Sequence, residues 1–281
     1  MHTPTSHGPT PHGPARHHLA PPEETGRHPA AAGRVPRLIG RLLAGLVAMA
    51  AALLAVTAGA GAAQAAERAA EPVRIMPLGD SITDGFNVPG GYRIGLWQHL
   101  VADGRQVDFV GSQYNGPAEL GDHDHEGHSG WTIEQIDANI SGWLAAYNPD
   151  VILLHIGTND MYGYDPAGAP ARMATLIDHI TAQAPDTELF VATIIPLGFL
   201  ESTVQSFNAQ VTSIVQARAQ AGANIHLVDM YNAVSVADLA DGVHPNATGY
   251  AKMADAWYNA LLSVPGVLDR ARTGERAPAA A

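Results

Sequence analysis

Three polar residues, one early and two late in the chain, have the types and local settings that nucleophilic catalysis needs. Ser81 follows a short apolar segment and opens a predicted helical turn, which places its hydroxyl and its backbone N–H at a helix N-terminus. Asp241 and His244 lie three residues apart on a predicted turn, where the carboxylate can orient one imidazole nitrogen while the other faces a nucleophile. Each feature also has a plain structural explanation, namely a capping serine, a capping aspartate and a solvent-facing histidine.

Two further residues could stabilise a developing oxyanion. Asn159 follows a strongly apolar segment and can aim its side-chain amide at such an oxygen, although a loop-capping asparagine is a common alternative. Gly130 precedes a predicted helix, so its N–H could be another donor. The neighbouring Ser129 lacks the Gly-x-Ser-x-Gly nucleophile elbow, because Trp131 occupies the position of the final glycine.

Alternating apolar strands and amphipathic helices must position these side chains. Five strands are predicted at 73–78, 107–110, 151–155, 189–195 and 225–228, and five helices at 92–102, 132–147, 171–184, 202–221 and 247–262. Such alternation favours a parallel sheet with helices on both faces. Ligand sites in these sheets lie at the carboxyl ends of the strands, where the polar residues named above fall. The predicted fold class is therefore α/β, with a five-stranded parallel sheet.

Composition and charge exclude several classes of protein. The 281 residues contain 15 Lys and Arg, 27 Asp and Glu, and no cysteine. The lack of cysteine excludes disulfides, Cys-ligated zinc, a thiol nucleophile and a lipoprotein anchor. The excess of acidic residues argues against nucleic acid and anionic membranes as partners and suits a neutral substrate, although solubility alone would also explain it.

The first 65 residues have the pattern of a disordered tail followed by a signal peptide. Arg34, Arg37 and Arg41 precede an uncharged run from Leu42 to Ala60, and Ala63-Gln64-Ala65 supplies small residues for cleavage before Ala66. An uncleaved membrane anchor is the alternative, but much of the run is Ala and Gly. We expect a secreted mature chain of net charge −15, because the leader carries five Arg and two Glu. A catalytic domain is predicted at 66–264, and a flexible tail at 265–281.

Four short blocks resemble the SGNH (GDSL-type) hydrolase superfamily in order and spacing. They are Gly79-Asp80-Ser81, the segment around Gly130, the segment around Asn159, and Asp241-x-x-His244. The strings 108–112, 125–132 and 155–161 look like carbohydrate esterase family 3, the acetylxylan esterases. The resemblance implies a three-layer α/β/α, flavodoxin-like sandwich. It also implies Ser81 as nucleophile, His244 as base and acid, and Asp241 as its orienter. The implied oxyanion hole consists of Ser81, Gly130 and Asn159.

Other residues are candidates for substrate or metal contacts. Trp131 and Tyr92 could stack on a sugar ring, although helix-end aromatics more often pack in the core. Asp122 and Asp124 lie in an Asp/His-rich segment that lacks the i, i+4 pair of a preorganised zinc site. Some members of the resembled superfamily bind a structural calcium, to which these two carboxylates could contribute. No metal or organic cofactor is predicted.

The resemblance implies a serine esterase that removes acetyl groups from carbohydrate through an acyl-enzyme, and we expect a monomer. Its expected substrates are acetylated polysaccharides or small esters. Two alternatives stay open: a lipid esterase or lysophospholipase, for which 196–200 is the one apolar loop near the site, and a sugar-binding protein on an inactive scaffold.

Overall fold

The computed structural model describes residues 71–163 and 165–269. The predicted leader and most of the predicted C-terminal tail lie outside this part of the chain. Within it, no helix is both long and apolar enough to cross a membrane.

Five parallel strands form the centre of the fold, as the apolar segments predicted. They are β1 (Val73–Gly79), β2 (Val107–Phe109), β5 (Val151–His155), β6 (Glu188–Ala192) and β7 (Ile225–Val228). The whole length of β5 pairs with residues 75–79 of β1, and β2 pairs with the start of β1. β6 and β7 extend the sheet beyond β5. The carboxyl ends of these strands therefore meet at one edge.

The predicted strand number of five is wrong, because the described sheet has seven strands. β3 (Gln113–Tyr114) and β4 (Asp124–Gly127) are the two additions, and β4 runs parallel to the end of β1 while β3 is antiparallel to β4. β4 reads as a polar loop because its sequence is Asp-His-Glu-Gly. His125 and Glu126 are nevertheless buried. The His125 Nδ1 accepts from the Gly127 N–H, and Glu126 accepts from Ser112.

The helices form two layers, one on each face of the sheet. In chain order they are α1 (Ser81–Asp84), α2 (Tyr92–Ala102), α3 (Ile133–Tyr147), α4 (Thr158–Met161), α5 (Ala169–Gln183), α6 (Glu201–Gln220), α7 (Met230–Ala233) and α8 (Ala247–Ser263). Helices α3, α5 and α6 cover one face, and α2 and α8 cover the other. Successive residues of β5 alternate between the two cores, with Ile152 and Leu154 on one side and Val151 and Leu153 on the other. This arrangement confirms the three-layer α/β/α sandwich.

The segment after β6 shows why one predicted strand is too long. The prediction extended to Ile195, but the strand ends at Ala192. Beyond it, the buried side chain of Asn208 on α6 accepts from the Ile194 N–H at 2.9 Å and donates to the Ile194 carbonyl at 2.8 Å. A side-chain amide thus replaces the neighbouring strand as the partner of this backbone.

Candidate active site

Ser81, His244 and Asp241 form one continuous chain of hydrogen bonds. Ser81 is the first residue of α1, directly after β1, and Asp80 caps this helix by accepting from the Ile82 N–H at 2.9 Å. The Ser81 Oγ lies 2.9 Å from the His244 Nε2, and the His244 Nδ1 lies 2.9 Å from the Asp241 Oδ2. The fold therefore brings together the three residues that the sequence singled out, although Ser81 and His244 are 163 positions apart.

The Asp241 carboxylate is held in place by donors as well as by His244. Its Oδ1 accepts from the backbone N–H groups of Val243 and His244 at 3.0 and 2.8 Å, and its Oδ2 accepts from the Asn87 side chain at 3.2 Å. Burial acts to raise the pKa of Asp241, but these hydrogen bonds together hold it well below its usual range. An ionised Asp241 favours the imidazole tautomer with its hydrogen on Nδ1, which leaves Nε2 free to accept a proton.

A short, anchored loop presents Asp241 and His244. The Ala240 N–H donates to the His244 carbonyl at 2.8 Å, and Leu239 bridges to Pro245 across the turn. Asp238, just before the loop, pairs with Lys252 of α8 at 2.7 and 2.8 Å. Both ends of the loop are thus tied to the fold, and Asn246 caps α8 by accepting from the Gly249 N–H.

In the described part of the chain, the backbone N–H groups of Ser81 and Gly130 have no backbone acceptor. Ser81 opens α1, so its N–H has no acceptor within the helix. The Gly130 N–H likewise makes no backbone hydrogen bond. Gly130 has a φ of +83°, in the left-handed region that favours glycine, although a Cβ there would meet nothing within 4 Å. The left-handed backbone conformation, rather than a lack of space for a side chain, therefore explains why residue 130 is a glycine.

Asn159 is oriented by partners on both sides of its amide. It lies in α4, directly beyond β5, and its Nδ2 donates to the Trp131 carbonyl at 2.8 Å. Its Oδ1 accepts from the Tyr162 hydroxyl at 3.0 Å. An amide nitrogen carries two hydrogens, so one Nδ2–H of Asn159 remains for a ligand. Tyr162 and Asn87 were both missed by sequence reasoning, because neither belongs to a motif.

Buried polar contacts hold the turn that carries Gly130. Glu126 is fully buried and accepts from the Ser112 N–H and from its hydroxyl, and it lies 2.7 Å from the His128 Nε2. The His128 ring stacks on Trp131 with centroids 4.2 Å apart. Ser129 donates to the Asp84 carboxylate at 2.6 Å, which links this turn to the end of α1.

The candidate substrate and metal contacts differ in accessibility. Tyr92 is fully buried against Trp257, so the prediction that it could contact substrate is wrong and the core-packing alternative holds. Trp131 is half-buried and remains a candidate. Asp122 uses its carboxylate to accept from the backbone N–H groups of Phe109 and Asp124. Among residues 71–163 and 165–269, no group of three or more His, Cys, Asp or Glu is arranged to hold a metal ion.

Asp80 has an environment unlike that of Asp241. Its side chain is fully buried behind Ser81, and burial raises its pKa to about 7 despite the hydrogen bond from Ile82. Its second oxygen makes no hydrogen bond in the structure. The pKa of Asp80, next to the candidate nucleophile, is therefore raised, and the pKa of Asp241, next to the candidate base, is lowered. Of the two, only Asp241 is suited to orient an imidazole as a permanent anion.

Comparison with known proteins assigns the family. The GDSL-like Lipase/Acylhydrolase family matches residues 78–252. The chain is 34% identical over 219 residues to the "Multidomain esterase" of Ruminococcus flavefaciens. This alignment covers 67% of this chain and 28% of that protein. The chain thus corresponds to less than a third of this relative.

Solved structures agree with this assignment. A family 3 carbohydrate esterase from Clostridium thermocellum superposes with a TM-score of 0.63 at 39% identity, over 69% of this chain and 96% of that one. An acetyl esterase mutant solved with an acetate ion superposes with a TM-score of 0.62 at 29% identity, over 68% and 97%. The predicted resemblance is confirmed: the chain belongs to the GDSL-like lipase/acylhydrolase family, with an SGNH-type hydrolase domain that includes residues 78–252.

Proposed function

We propose that this protein is a secreted serine esterase that removes acetyl groups from carbohydrate. The observation that carries the proposal is the hydrogen-bonded chain from the Ser81 hydroxyl through His244 to Asp241. The similar proteins described as a carbohydrate esterase and an acetyl esterase support the substrate class. The leader pattern before Ala66 supports secretion.

The proposed reaction is a two-step acyl transfer. His244 Nε2 takes the Ser81 proton as Oγ attacks the acetyl carbonyl, and the resulting oxyanion is held by the Ser81 N–H, the Gly130 N–H and the remaining Nδ2–H of Asn159. His244 then gives its proton to the leaving sugar oxygen as the C–O bond breaks. Water, deprotonated by His244, attacks the acetyl-Ser81 ester, and His244 returns that proton to the Ser81 Oγ as the ester bond breaks and acetate leaves. Asp241 stays ionised and orients the imidazole throughout.

A lipid esterase is the main competing activity, and it needs an apolar groove for a long acyl chain. In the loop that could supply one, Leu197 is fully buried in the core and Phe199 is 60% exposed. Within this loop, one exposed ring offers little apolar surface to such a chain. This observation favours a short acyl group, and the experiment below separates the two activities.

The first experiment compares acyl lengths with one leaving group. The mature protein, residues 66–281, is assayed on p-nitrophenyl esters from acetate to decanoate. We expect kcat/KM to be highest for acetate, because the loop 196–200 offers little exposed apolar surface to a longer chain. A maximum at octanoate or decanoate would instead identify a lipid esterase. Absence of hydrolysis across the series would support the sugar-binding alternative.

The pH profile should have a single acid limb. The base must be a neutral imidazole, so kcat/KM for p-nitrophenyl acetate should fall about tenfold per pH unit once His244 becomes protonated. Because the pKa of Asp241 is held low, this carboxylate remains ionised over that range and does not cause the fall. The check is kcat/KM from pH 4 to 9, with circular dichroism at each pH.

Asp80 supplies the control for this profile, since its pKa of about 7 lies within the pH range of the assay. Asp80→Asn cannot titrate but keeps an oxygen for the Ile82 N–H. The variant should retain the acid limb of the wild-type protein. Loss of that limb in the folded variant would mean that Asp80, rather than His244, is the titrating group.

A further inference from the structure

The loop between α1 and α2 contributes two neighbouring side chains to the candidate triad. Asn87 donates to the Asp241 carboxylate at 3.2 Å, and the Phe86 ring lies beside the His244 imidazole with centroids 4.9 Å apart and a tilt of 31°. Nothing in the sequence blocks marks Phe86, and the proposed acyl transfer does not use it. Because the Phe86 ring lies against His244, the candidate base, it is also close to the substrate group to which His244 transfers a proton.

The loop is anchored well enough to hold this ring in place. The Phe86 N–H donates to the Ser81 carbonyl at 3.1 Å, and the Gly90 N–H donates to the Asn115 side chain at 3.1 Å. Gly85 has a φ of +85°, and a Cβ there would lie 2.5 Å from the Val88 carbonyl oxygen. The backbone on both sides of Phe86 is therefore fixed relative to the nucleophile.

The Phe86 ring is nonetheless 61% exposed, so it does not fill the core. Its one ring contact in the described chain is with His244. A large apolar side chain left open to water beside a candidate base has surface available for a ligand, and a contact on that surface would remove apolar area from water.

The proton transfer decides which part of a substrate reaches this ring. His244 Nε2 must hand its proton to the leaving oxygen, so that oxygen lies within hydrogen-bond distance of Nε2 in the reacting complex. The group attached to the leaving oxygen therefore extends along the imidazole, where Phe86 lies. The acetyl group is instead bonded to Ser81 at that stage.

We propose that Phe86 is a specificity-determining residue, a platform on which the apolar face of the sugar leaving group stacks. This inference rests on the proposed function and deepens it, because it assigns a binding residue to the alcohol side of the ester. A phenyl ring has no hydrogen-bonding group, so its contribution comes from contact with the C–H face of a pyranose. Selectivity for a sugar over a small alcohol should depend on it.

The test holds the acyl group constant and varies the leaving group. The substrates are an acetylated methyl xyloside, whose ring can reach Phe86, and ethyl acetate, whose ethyl group is too small to cover it. The measured quantity is selectivity, the kcat/KM for the xyloside acetate divided by that for ethyl acetate. In Phe86→Ala we expect selectivity to fall about tenfold, mainly through a higher KM for the sugar ester. Phe86→Trp should keep at least the wild-type selectivity.

Tyr114→Ala is the matched control, since Tyr114 is 73% exposed but its ring contacts His123 instead of His244. Its selectivity should stay within twofold of wild type. Unchanged selectivity in Phe86→Ala would overturn the proposal. An equal loss on both substrates would also overturn it, because the ring would then merely position His244. A wild-type protein that hydrolyses neither ester would instead refute the proposed function itself, and the platform with it.

Discussion

Replacing Ser81 by alanine should reduce kcat for p-nitrophenyl acetate by about 10⁵-fold or more. The variant loses the oxygen that lies 2.9 Å from the His244 Nε2, so no acetyl-enzyme can form and the base has no proton to take. The fold should be unaffected, because the Ser81 side chain makes no other hydrogen bond within residues 71–163 and 165–269, and the α1 cap is supplied by Asp80. The measurement is kcat for the purified mature variant, with its thermal unfolding temperature compared with that of the wild type.

Ser129→Ala provides the matched control. Ser129 is also a serine beside a glycine in the same region, but its hydroxyl donates to Asp84 instead of facing an imidazole. We expect this variant to lose less than tenfold in kcat. Mass spectrometry after quenching a reaction should find an added acetyl group on wild-type Ser81 and none in Ser81→Ala. Comparable turnover by wild type and a folded Ser81→Ala protein would refute the nucleophile assignment.

The sequence predicted the long elements well, because their signals are local. Helix 92–102 was predicted with the bounds that the structure has, and Val151–His155 was recognised as a strand buried on both faces from its unbroken apolar run. Short elements gave no comparable signal. The helices Ser81–Asp84 and Thr158–Met161 have four residues each, less than two turns, so apolar periodicity cannot be measured over them. β4 was missed for a different reason: its buried side chains, His125 and Glu126, are polar, so the strand has no apolar pattern.

The candidate site was predicted where a residue belongs to a block and missed where it acts only through the fold. Ser81, Asp241 and His244 could be named from their motifs, and the structure joins them by hydrogen bonds. Asn87 lies 154 positions from the carboxylate it contacts, and no local pattern relates the two. Tyr92 shows the converse: it was named as a possible sugar contact, but its packing against Trp257 of α8 buries it completely, as the core-packing alternative had it.

The oxyanion donors are tested most sharply through Asn159, because its amide is held by two partners and has one N–H left over. Asn159→Ala should lower kcat for p-nitrophenyl acetate by about 10²–10³-fold with little change in KM, since the donor acts on charge that develops only in the transition state. The measurement is full kinetics of the folded variant at the pH of maximum wild-type activity.

Tyr162→Phe tests how much the orientation of the Asn159 amide matters when the amide itself is still present. This variant keeps the ring but removes the hydroxyl that donates to the Asn159 Oδ1 at 3.0 Å, while the bond from Nδ2 to the Trp131 carbonyl remains. We expect a loss of about tenfold or less in kcat, because one of two restraints on the amide is gone and the donor itself is intact. If Asn159→Ala retained wild-type kcat, the side chain would be a loop cap, and Ser81 and Gly130 would be the only donors left to hold the oxyanion. If instead Tyr162→Phe were as damaging as Asn159→Ala, the hydroxyl would be doing more than orienting the amide, since removing an orienter cannot cost more than removing the donor it orients.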